Sequence, residues 1–210
     1  MNLTDMRAIV RRDLHDEDSV NYRWTDNEID RHIARALKEF SEALPLEQKA
    51  TLATVSGSRE ISVVSLTNRV MIEAIEYPLG QFPKSYQRFA FWNDVISILG
   101  PDIPDGSNCY VYYGKLHTLD GNGSTIPSKY EDLVATGAEG LAARQLAGYT
   151  INQVNTGGTE TPTNWESWGQ KRISFFREEL KRLGRRNGLR VRQLYSPFIP
   201  IIGKTTDWGP

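Results

Sequence analysis

Cysteine, histidine and long apolar runs are all scarce in this chain of 210 residues, and each scarcity narrows what it can do. Cys109 stands alone, so no disulfide closes within the chain and no cysteine-based zinc site can form. A lone thiol fits a reducing interior. No apolar run approaches the roughly 20 residues of a membrane span, and residues 1–18 lack the apolar stretch and cleavage site of a signal peptide. The expectation is a soluble protein that is not exported by a cleaved signal and has no membrane partner. A net charge of −1 supplies no overall pull toward nucleic acid, so any such affinity must come from local clustering. G-x-S-x-G, Walker A and H-E-x-x-H patterns are all missing.

What is present is enough apolar material for a folded core: 39% hydrophobic against 24% charged residues. Met6, Ile9, Val10 and Leu14 recur at helical spacing and predict a first helix over 4–14. Residues 15–23 are polar and acidic and read as a loop. Thr25 and Glu28 then form a T-x-x-E capping box, with Trp24 and Ile29 spaced as a hydrophobic staple. Ile29, Ile33, Leu37 and Phe40 mark the buried face of that helix, which Pro45 limits to 26–43.

From Thr51 the period changes to two. Leu52 and Val55, then Ile61, Val63, Val64 and Leu66, suggest a hairpin turning at 56–59. Segments 70–77, 88–92, 95–99 and 109–115 complete a set of about six short strands, separated by Pro- and Gly-rich turns at 77–80, 100–106 and 120–123. After Pro127 a helix begins at Tyr130, Leu133 and Val134 and continues to Val154, with a break near Gly137. Ala135, Ala138, Ala142, Ala143 and Ala147 give it a small-sided surface on which a neighbour can pack closely. Trp165, Trp168, Ile173, Phe176, Leu180 and Leu183 mark a last helix ending near 184–188. Pro197, Pro200 and Pro210 prevent the tail from being helical throughout. The expected class is α+β: a discontinuous helical bundle (1–49 and 125–190), an inserted small antiparallel β domain (50–118) and an extended C-terminal arm (191–210).

No catalytic constellation emerges, and none of the residues implies a cofactor or a metal. Glu28 and His32 have the spacing of two ligands on one helix but lack a third, so an exposed polar pair is the simpler reading. His15, Asp16, Glu17 and Asp18 read as a solvated acidic loop. His117 reads as a satisfied edge residue, Cys109 as core packing, and Gly121-Asn122-Gly123 as a tight turn. From Lys171 to Arg192 nine cations face only two acids. Arg172, Arg182, Arg185, Arg186, Arg190 and Arg192 therefore point either to DNA phosphates or to a neighbouring subunit, and a DNA-binding module is the alternative function. Tyr195, Phe198, Ile199, Ile201, Ile202 and Trp208 make the tail apolar, which calls for a fold-back onto its own core or docking into a partner.

Several runs resemble the head–tail connector (adaptor) proteins of tailed bacteriophages. They are Arg23-Trp24-Thr25-Asp26-Asn27-Glu28-Ile29-Asp30-Arg31-His32-Ile33, Glu76-Tyr77-Pro78, and His117-Thr118-Leu119-Asp120 with Ser124-Thr125-Ile126-Pro127. The ending from Leu183-Gly184-Arg185-Arg186-Asn187 to Tyr195-Ser196-Pro197 belongs with them. The resemblance implies a non-enzymatic virion subunit, assembled in the host cytoplasm, that forms a ring, commonly dodecameric, below the portal. The ring extends the channel for genomic DNA, binds the portal protein above and meets a tail or neck protein below. It also implies that 195–210 is the portal-docking arm and that the alanine-rich helix is a subunit–subunit face. Simple members are little more than a helical bundle, and the β segment at about 50–118 departs from them.

Overall fold

Capping decides where the first two helices begin. The structure, a computed structural model, describes residues 1–151 and 162–195, without the side chains of 189, 190 and 192–195. In α1 (Leu3–Asp13) the Asn2 side chain accepts from the Asp5 N–H at 2.9 Å, and the Asp5 carboxylate accepts from the Asn2 N–H at 3.0 Å. In α2 (Asp26–Ala43) the Thr25–Glu28 box is formed as expected, with Trp24 and Ile29 both buried.

Seven strands follow: β1 (Leu46–Ala53), β2 (Glu60–Ser62), β3 (Arg69–Glu76), β4 (Tyr86–Gln87), β5 (Phe89–Trp92), β6 (Val95–Ile98) and β7 (Asn108–Lys115). One sheet has the order β1-β7-β3-β4 and the other β2-β6-β5. The hairpin expected at 56–59 does not form, because β1 and β2 belong to different sheets. The backbone there bonds elsewhere: Thr54 donates to the Ser107 carbonyl and Gly57 to that of Pro104. The hairpin that does form joins β5 to β6, with Trp92 opposite Val95 and positive φ at both Asn93 and Asp94, as a two-residue turn requires.

After a 3-10 turn at Ser128–Tyr130, α3 (Glu131–Thr150) runs through Gly137 without the expected break. That glycine serves packing: a Cβ there would lie 2.9 Å from the Phe176 ring. The last helix, α4 (Pro162–Tyr195), runs past Gly184 and Gly188, so 191–195 continue a helix rather than begin an arm. Neither glycine adopts the positive φ that would end it.

The chain divides into two compact units. One comprises Met1–Glu47, Asn68–Val70 and Gly114–Gly184. Its core joins Met6, Val10, Trp24, Ile33, Phe40, Val134, Phe176 and Leu180. The alanine stripe of α3 is buried inside this unit, which corrects the expectation that it faces another subunit. The stripe is used instead to bring helices of the same chain close. At the α3–α4 crossing a Cβ on Gly140 would meet the Gly169 carbonyl at 3.0 Å, and one on Gly169 the Gly140 carbonyl at 2.9 Å. The other unit comprises Gln48–Thr67, Met71–Tyr113 and residues 185–195 of α4. Its core holds Ile61, Val63, Ile75, Ile96, Ile98, Cys109 and Val111.

Candidate functional site

The acidic loop after α1 is far from merely solvated. Asp16 is buried, and its carboxylate accepts from Arg11 Nη1 at 2.5 Å and from the Arg23 N–H at 2.7 Å. Arg11, also buried, donates to the Trp24 carbonyl at 2.9 Å and to Asp26 at 2.8 Å, and its guanidinium lies 3.6 Å from the centre of the Tyr22 ring. Arg7 donates to Asp26 and Asp30. These bonds fix the loop against α1 and α2. Beside it lies a groove of about 290 Å³ lined by Thr4, Arg7, Ala8, Arg11, Arg12, Glu17 and Tyr22.

Glu28 and His32 are not an exposed pair either. Gln145 on α3 donates to Glu28 at 2.9 Å and accepts from the buried His32 ring, so a neutral amide bridges the two. Burial holds His32 below its usual 6.5. His117 is an interior residue, with Nε2 3.0 Å from the Leu44 carbonyl and Nδ1 3.1 Å from the Thr125 hydroxyl, and burial lowers it too. His32 thus ties α2 to α3 through a side chain, and His117 ties two backbone segments together. Among the described residues no group of three metal-ligating side chains converges.

In the β unit, buried Glu76 accepts from the Tyr112 hydroxyl at 2.5 Å and pairs with Lys84 at 3.3 Å. Cys109 is buried in that core, and burial raises its thiol. Trp92 and Phe82, by contrast, stand out in solvent.

Much of the basic segment of α4 is already partnered. Arg172 pairs with Glu139 at 2.9 Å and Asp13 at 3.7 Å and sits over the Trp168 ring. Arg177 pairs with Glu39 at 3.0 Å and Arg182 with Glu179 at 2.6 Å. Arg185 and Arg186 are exposed and, like Lys171 and Lys181, pair with no acid among the described residues. The side chains of Arg190, Arg192 and Tyr195 lie outside the described residues, as do Phe198, Ile199, Ile201, Ile202 and Trp208 altogether. Sequence reasoning missed Arg11, Gln145 and Glu139 and read Asp16 as solvated, because their roles depend on partners from other elements. The Asn2–Asp5 box was readable from spacing alone.

A protein-family model described as SU10 adaptor protein matches residues 1–176. The chain belongs to that family. It is a phage head–tail adaptor, a structural component of the virion that interacts with other head and tail proteins. The match spans the whole β segment of the adaptor and stops part-way along α4, so the basic end of that helix and the apolar tail lie beyond it. No curated protein matches the adaptor chain. Among its described residues no helix is long and apolar enough to cross a membrane.

Proposed function

We propose that the adaptor is one copy of a ring, twelvefold by family resemblance, that sits below the portal in the virion neck, extends the DNA channel and joins head to tail. The single observation that carries this reading is the family match over residues 1–176. In it, the helical bundle drawn from 1–49 and 125–190 is the body of the subunit and 50–118 an inserted domain. The apolar tail, with Tyr195, Phe198, Ile199, Ile201, Ile202 and Trp208, docks on the portal. Extended apolar segments carrying proline suit a groove on a partner, because little chain entropy is left to lose. The action is mechanical: each copy offers two different faces that close by rotation, and DNA slides through without bond chemistry.

The reading is tested by sizing the purified protein alone and with the phage's portal protein. Assembly in either case is the expected result; a monomer indifferent to the portal overturns it. A second reading, direct DNA contact, draws on Lys171, Lys181, Arg185 and Arg186, exposed cations without acid partners among the described residues. Titrating duplex DNA at two salt concentrations tests it. Phosphate contacts require affinity to fall with salt, and a flat response excludes them.

A further inference from the structure

Five acids against three cations make α2 a net acidic helix in sequence, yet its outward face is basic. The fold produces the reversal by engaging the acids of the first turns from the inside. Asp26 and Asp30 accept from Arg7 of α1, and Asp26 accepts also from Arg11. Glu28 accepts from the Gln145 amide of α3 and from its own cap, Thr25. Arg31, Ala34, Arg35 and Lys38, by contrast, are all exposed. Arg31 and Lys38 pair with no acid among the described residues, and Arg35 pairs with Glu39 at 3.6 Å. Glu39 also accepts two bonds from Arg177 of α4, at 3.0 and 3.1 Å. One acid thus stands among four cations. Arg177, and after it Arg35, holds the Glu39 carboxyl below its usual 4.5, as a positive surrounding requires. The next exposed acid along the face, Glu42, comes a turn after Lys38 and marks its end.

The dimensions and composition of this face say what suits it. From Arg31 to Lys38 the helix rises about 10 Å, the span of roughly three phosphates on one DNA strand. Ala34, beside Arg35, adds no bulk that would hold a nucleic-acid backbone away. The centre of a protein interface is poor in charge and rich in aromatic side chains. Here the large apolar residues Ile33 and Leu37 are buried, and the outward set holds no aromatic. Cations of this kind meet phosphates without reading bases.

We infer that the outward face of α2, through Arg31, Arg35 and Lys38 with Arg177 beside them, is the part of each subunit that meets the phosphates of the duplex in the channel. The inference rests on the ring reading and says which face of the subunit turns inward. It draws on none of the α4 cations that lack an acid partner. Few contacts per copy, repeated around a ring and blind to sequence, centre a duplex without gripping it.

The experiment uses the full chain and a short labelled duplex of mixed sequence. With three phosphates neutralised, affinity should fall roughly 40-fold between about 50 and 200 mM salt. Arg31→Gln, Arg35→Gln and Lys38→Gln together keep helix propensity and should reduce that fall to a few-fold with the melting temperature nearly unchanged. A triple of equal charge on α4, Lys171→Gln with Arg185→Gln and Arg186→Gln, should keep the parent's salt response. A second readout needs no multiple variant. Ala34→Cys, labelled with a benzophenone maleimide because Cys109 is buried, should photocrosslink to the duplex, and Ser19→Cys in the acidic loop should not. A parent without salt-dependent binding, an α2 triple that binds like the parent, a loss confined to the α4 triple, or a crosslink at Ser19 and not at Ala34 each overturns the inference. Sizing alone and with the portal separates this from the ring itself. Rings whose α2 face fails these assays keep the ring and lose the face; a chain that passes them yet stays monomeric keeps the face and loses the ring.

Discussion

Glu139 shows how much of this molecule is decided by single buried groups. It is 0% exposed, and among the described residues it pairs with Arg172. Burial pushes its carboxyl up to about 8; Arg172 opposes the shift and Asp13 reinforces it. Between its ordinary 4.5 and about 8 the folded chain therefore holds a proton that the unfolded chain has released. The stability this gives is complete below 4.5 and is lost as pH rises through about 8. Urea midpoints at pH 6.5 and 8.5 should show the parent losing on the order of 1–2 kcal/mol relative to Glu139→Gln, whose curve lacks that loss. His32 and His117 slope the other way and are common to both proteins, so they cancel in the comparison. A second test separates buried from exposed acid in one loop. Asp16→Asn should cost about 1–3 kcal/mol in urea unfolding, because it takes the buried charge partner from Arg11 and leaves it Asp26 and the Trp24 carbonyl, whereas Asp18→Asn, at an exposed position, should barely move the midpoint. In the sequence these two aspartates look alike. Nothing in the run from Asp16 to Asp18 says that Arg11 and the Arg23 N–H close on the first and leave the last to the loop itself.

At the scale of elements, helices were far more legible than strand pairing. Both bounds of α2 follow from Thr25, Glu28 and Pro45, all local signals. The partner of β1 follows from none: its neighbour β7 lies more than fifty residues away, and Gly57 looks like a hairpin turn until Pro104 is seen accepting its N–H. Glycines misled in the same way. Gly137 looked like a break and is a packing notch for Phe176, while Gly184 and Gly188 looked like a stop and lie within α4. The distinction is testable. Alanine is the better helix former by about 1 kcal/mol, so Gly148→Ala, with open space around it, should stabilise by up to that amount. Gly169→Ala should instead destabilise by roughly 1–3 kcal/mol, since its methyl would press on the Gly140 carbonyl. Thermal melts of the two variants beside the parent decide the matter.

For the whole molecule, the proposed portal-docking arm is open to a direct test. The family match ends at Phe176, while α4 continues to Tyr195. Deleting 196–210 should therefore leave the melting temperature and helical signal nearly unchanged and abolish co-elution with the portal protein; a truncated chain that still co-elutes shows that the arm lies elsewhere. The adaptor's role could be anticipated from residue runs spread along the chain, but its buried networks could not, because they exist only once α1, α3 and α4 are assembled. The crossing of Gly140 and Gly169 has a mechanical corollary. Where two backbones meet directly, no rotamer is left to yield under strain. A force arriving at this crossing would pass from α4 to α3 with little lost to side-chain movement, which suits a structural part of a virion.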